Sequence, residues 1–177
     1  MSTSAVEIPS NLLSRIKRTA PGIDLSAPGT RHQTVVLKVA ASLLRHVEAR
    51  KLGRVLHAPC DIILSKETVV QPDICFIKRN RSGIIFDRYL RGIPDLVIEI
   101  TPHIQQTSVS IPLKRILSRF GVREYWEINH ERKTAEILLW SELGYVSIGR
   151  FGRSDRMSSP LFPGFTLPLA GIFGKRP

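Results

Sequence analysis

The stretch Leu96-Val97-Ile98-Glu99-Ile100 constrains this chain more than any other. It is apolar without alternation, as expected for a central strand covered on both faces, yet it carries a carboxylate. Charged residues are seldom buried without a partner. Upstream, Gln71-Pro72-Asp73-Ile74-Cys75-Phe76-Ile77 repeats the arrangement, with an acid beside an apolar run. Burying a charge is costly unless something neutralises it, and a divalent cation is one such partner.

The surrounding periodicities supply the layers that would cover such strands. Residues 5–19 read as a short helix, and 20–30, with Pro21, Gly22, Pro28 and Gly29, as a loop. From Arg31 to Lys51 the apolar residues Val35, Val36, Val39, Leu43 and Val47 recur at helical spacing, up to a stop at Gly53. Short β-rich runs follow at 55–56, 62–64, 69–70 and 74–77, with a basic loop at 78–83. A helix over 108–120, capped by Gly121, separates the 96–100 strand from strands at 124–128, 135–140 and 145–148, the last two a hairpin. The Pro- and Gly-rich tail reads as an irregular wrap ending in a short helix. This order predicts an α/β fold with a mixed β-sheet flanked by helices. Residues 1–30 form an N-terminal arm or short helix, and 31–177 a single domain.

Composition narrows the function classes. The net charge of +11 favours a polyanionic partner, of which nucleic acid is the commonest. No apolar run is long enough to span a membrane, and the N-terminus lacks the apolar block of a signal peptide, so a cytoplasmic location is expected. Cys60 and Cys75 read as buried small hydrophobes, and without a C-x-x-C pair zinc is not expected. No G-x-G-x-x-G, P-loop, H-E-x-x-H or G-x-S-x-G motif is present.

The chemistry then falls to Asp73, Glu99 and Lys114, the minimal set for metal-assisted phosphodiester hydrolysis. Magnesium usually takes one or two carboxylates and keeps several waters. Such an ion polarises a phosphoryl oxygen and acidifies water. Lys114 would stabilise developing negative charge, and Arg115, Arg119 and Arg123 would hold the phosphate backbone. Each residue also has a plainer reading: Asp73 as a turn residue after proline, Glu99 as a strand-end charge facing solvent, Lys114 as an exposed helix lysine. Asp95 reads as a solvated turn or cap, with support of a metal ligand as its other reading; His32, opening the long helix, reads as a capping or surface residue, with approach to a site as its other reading.

The ordered segments QPD-ICFI, PDLVIEI-TP, PLK and FGVREYWEIN, with Arg31-His32-Gln33 before them and SPLFPGF after, resemble the Uma-two family of restriction-endonuclease-like proteins. That family is a branch of the PD-(D/E)XK nuclease superfamily. The resemblance covers about residues 31–173 and implies a restriction-endonuclease-like core. It also implies that Asp73 and Glu99 are acidic metal ligands, that the Ile100 backbone carbonyl is a further ligand, and that Lys114 is the catalytic lysine moved onto the following helix. Magnesium, with manganese as substitute, is the implied cofactor. DNA is the implied partner, gripped also by the basic loop Lys78, Arg79 and Arg81. A homodimer would match the two-fold symmetry of a duplex.

The chain departs from the family pattern in three places. Ser110 stands where an Asp is common, a helix Tyr is absent near Leu117, and only Gly22-Ile23-Asp24-Leu25 represents the upstream acidic segment. Two readings follow: a metal-dependent endonuclease, or a degenerate nuclease fold that binds DNA without cutting. A basic module without nucleic-acid activity fits the charge but leaves the ordered motifs unexplained.

Overall fold

The computed structural model describes residues 29–101 and 110–174. The expected helix over 5–19, the Gly22-Ile23-Asp24 segment and His103 lie outside the described residues, as do the side chains of 110–112.

Helix α1 (Thr30–Ala49) buries the predicted stripe of Val35, Val36, Val39, Leu43 and Val47. It ends at Ala49, before Gly53, which instead opens strand β1 (Gly53–His57). Glycine is required there by contact: a Cβ on Gly53 would lie 1.9 Å from the Ile77 carbonyl oxygen. Strands β2 (Ile62–Ile63), β3 (Val69–Val70) and β5 (Leu90–Arg91) form a small three-stranded sheet. Strand β4 (Ile74–Lys78) runs on into a 3-10 helix over Arg79–Ile84, where the sequence suggested a loop.

Strand β6 (Leu96–Thr101), helix α2 (Ser110–Arg119) and strand β7 (Glu124–Asn129) make a parallel crossover. Gly121, with φ 75°, ends α2 as expected of a C-cap. The hairpin of β8 (Thr134–Ser141) and β9 (Gly144–Phe151) extends the sheet. The tail contributes β10 (Arg156–Met157), β11 (Leu167–Pro168) and α3 (Leu169–Phe173).

The main sheet has six strands in the order β1-β4-β6-β7-β8-β9, antiparallel except for the β6–β7 pair. This is the predicted mixed α/β sheet. Strand alternation divides its side chains between two cores. Leu96, Ile98, Ile100, Trp126 and Ile128 pack beneath α1 and the tail, whereas Val97, Cys75, Ile77 and Tyr125 pack beside Leu117 of α2. The apolar 96–100 run is thus explained: both faces are covered. No helix among the described residues is long and apolar enough to cross a membrane.

Candidate active site

Asp73 immediately precedes β4, and Ile74 pairs with Ile98, so Asp73 comes to rest across from Glu99 on the α2 side of the sheet. The backbone N–H of Asp73 donates to Glu99 Oε1 at 3.3 Å, and the Ile100 N–H donates to Asp73 Oδ2 at 2.7 Å. The two carboxylates that head the sequence expectation are therefore tied to each other's strands. The Ile100 carbonyl shares their neighbourhood. Glu124 N–H donates to the Asp95 carbonyl and His130 N–H to the Thr101 carbonyl, which turns the odd-numbered residues of β6 toward β7. Ile100 therefore turns its main-chain groups the other way, toward Asp73.

Burial raises the Glu99 carboxyl to about 8, with further upward pushes from the Asp73 and Glu127 charges and a partial offset from the Asp73 N–H. Acid groups crowded without a counter-charge resist ionisation, and a cation between them would remove that resistance. The donors are all hard oxygens, and no group of three or more His, Cys, Asp or Glu with ligating geometry occurs among the described residues. Two carboxylates and a carbonyl fit magnesium or manganese better than zinc.

Lys114 points onto this face from α2, but its ion-pair partner is Glu127: Nζ lies 3.5 Å from Glu127 Oε2 and 5.9 Å from the Tyr125 ring centre. Glu127 is the register partner of Glu99 on β7, so the lysine stands one strand away from the Asp73–Glu99 pair. The row continues across the sheet, with Glu136 opposite Glu127 and Arg150 opposite Glu136. Arg150 Nε lies 2.9 Å from Glu136 Oε1. Burial alone would raise the Glu136 carboxyl, but hydrogen bonds from Ser147 and Arg150 outweigh it and hold the group below its usual value.

Three neighbours were missed or misread from sequence. His32 is buried, and its Nε2 lies 3.1 Å from Asp73 Oδ2, so it is neither a cap nor a surface residue. Its place at the start of a long amphipathic helix was the available signal, and only the fold reveals that this end meets β4. Glu127 carries the same signature as Glu99, an acid inside an apolar strand, and that signal was legible. The Tyr125 hydroxyl is buried without a partner among the described residues, and burial, with the Glu99 and Glu127 charges, pushes its pKa well up.

The expected nucleic-acid contacts divide into two groups. Arg115, Arg119 and Arg123 are exposed on or just beyond α2, on the carboxylate side of the sheet. Lys78, Arg79 and Arg81 do not join them. They lie at the far end of β4, about 16 Å along the strand from Asp73 at about 3.3 Å per residue. Arg81 there forms an ion pair with Asp95 at 2.9 Å and donates to the Ile93 carbonyl. Asp95 is correspondingly no solvated cap: it is buried, and it also accepts the Lys78 N–H at 2.9 Å. Cys75 is buried as expected, while Cys60 is only partly so.

A comparison with curated proteins found no match. Among solved structures, the chain is similar to a putative nuclease belonging to DUF820 from Anabaena variabilis ATCC 29413. The TM-score is 0.67 at 14% identity, with 82% of each chain covered, a likeness of fold. The family model described as Uma2, putative restriction endonuclease, matches residues 22–170. That span takes in α1, both carboxylate strands, α2 and the tail, and the chain belongs to the Uma2 family.

Proposed function

We propose that this protein is a metal-dependent endonuclease that hydrolyses phosphodiester bonds in DNA. The observation that carries the reading is the pairing of Asp73 and Glu99 on adjacent strands, each bonded to the other's backbone segment. Asp73, Glu99 and the Ile100 carbonyl would hold a magnesium or manganese ion. When bound, that ion would supply Lewis-acid polarisation of the phosphoryl oxygen and an acidified water. The chain's own groups do the rest. His32 holds Asp73 in place from α1. Lys114 brings positive charge to the face on which negative charge develops in the transition state. Arg115, Arg119 and Arg123 hold flanking phosphates, a contribution that salt weakens.

One observation favours binding without cutting: the Lys114 ammonium pairs with Glu127 instead of standing over Asp73 and Glu99. Both readings are tested by incubating supercoiled plasmid with the protein and magnesium or manganese. The nuclease reading expects nicked and linear products that disappear in Asp73→Ala and Glu99→Ala. Cleavage unchanged in both variants would exclude this site. Retarded but uncut DNA, released as salt rises, would establish the binding reading instead.

A further inference from the structure

At the end of the sheet opposite the carboxylates, and on its other face, a cavity of about 550 Å³ opens beneath the end of α1. Three cations from three segments line it: Lys51 from the α1–β1 turn, Lys78 from the end of β4, and Arg79 from the start of the 3-10 helix. The Arg79 N–H donates to the Leu52 carbonyl at 2.8 Å, which fixes these segments against one another. None of the three cationic side chains forms an ion pair among the described residues, and Asp95, the buried acid at that end, is taken by Arg81. Lys51 also sits at φ 53°, where a turn ordinarily calls for glycine. Leu52 and Leu161, over Phe76, give the cavity an apolar wall, and Asn80 adds an amide at its rim.

We propose that this cavity is a binding site for a small phosphate ester with an apolar body, of the nucleoside monophosphate class, separate from the candidate active site. Three cations that line one opening without an ion-pair partner favour an anion there, and a phosphate accepts charge-assisted hydrogen bonds from both lysine and arginine. Leu52 and Leu161, which are partly exposed, would take a base or other ring. The volume falls in the range of small-ligand sites. The cavity does not face Asp73 and Glu99, so its occupancy does not depend on the nuclease reading.

The test is calorimetric titration of the full chain with deoxyadenosine monophosphate, inorganic phosphate and deoxyadenosine, in chelator so that no divalent ion is present. The expectation is that the monophosphate binds the wild type and Asp73→Ala alike, and at least about tenfold more weakly to a folded Lys78→Ala/Arg79→Ala variant. Leu161→Gln should weaken the monophosphate and leave inorganic phosphate unchanged. Failure of the wild type to bind the monophosphate, equal binding by the double variant, or loss only in Asp73→Ala would overturn the site. Displacement of the monophosphate by an oligonucleotide lacking terminal phosphates would overturn the small-ligand assignment in favour of a DNA strand.

Discussion

Glu99 is held on the sheet in a place that favours its proton. Its carboxyl stands at about 8 in the folded protein against 4.5 unperturbed, so between those values the native state binds more protons than the unfolded chain. Stability of the metal-free protein should therefore fall as pH rises through that window. The fall should be on the order of 3–5 kcal/mol. Urea melts at a series of pH values should show it, and Glu99→Gln should flatten the curve. An unchanged slope in that variant would place the proton elsewhere. Glu127→Gln tests the neighbour: its lysine pair is partly exposed, so stability should shift by less than about 1 kcal/mol. One of the charges that hold Glu99 protonated would be gone, so carbon NMR of the Glu99 carboxyl should show it titrating at lower pH.

Asp73 and Glu99 were legible in the sequence because an acid in an apolar strand contradicts its surroundings. Glu127 offered the same contradiction and went unread. His32 could not be read from local pattern, because its meaning depends on which strand the start of α1 meets, and that is a long-range contact.

At the scale of elements, the β6–α2–β7 crossover carries Glu99, Lys114 and Glu127 on one supersecondary unit. Its two strands and intervening helix were readable from hydrophobic period. The small β2–β3–β5 sheet was only half readable, since Leu90–Arg91 is too short to announce itself. The place of the basic loop at the end of β4 away from Asp73 was legible, because the extended strand Ile74–Lys78 lies between them. Glu124, the first residue of β7, is buried and accepts hydrogen bonds from the Trp126 indole and the Ser159 hydroxyl, joining the tail to the sheet. Burial raises its carboxyl in spite of those bonds. Ser159→Ala should cost about 1–2 kcal/mol in thermal or urea unfolding. Gly53→Ala should cost more, about 2 kcal/mol or above, because its Cβ meets the Ile77 carbonyl oxygen and the Phe76 ring. Gly83→Ala, in the 3-10 helix with nothing within 4 Å, is the control and should melt like the wild type.

At the scale of the whole molecule, cations among the described residues gather on surfaces that serve different ends of the sheet. Arg115, Arg119 and Arg123 face the carboxylate side, while Lys51, Lys78 and Arg79 gather at the far cavity. Fluorescence anisotropy with a short duplex should therefore show affinity falling steeply with salt. Replacing Arg115 and Arg119 with alanine should reduce that salt dependence. Replacing Lys78 and Arg79 should leave it nearly unchanged. The row that crosses the α2 face runs Asp73, Glu99, Glu127, Glu136, Arg150, one residue per strand. Strands about 4.8 Å apart make it a graduated scale about 19 Å long, acidic for most of its length and cationic at the β9 end. The face consequently has a compass bearing, so a polyanion laid across the strands meets unlike ends and has reason to lie one way round.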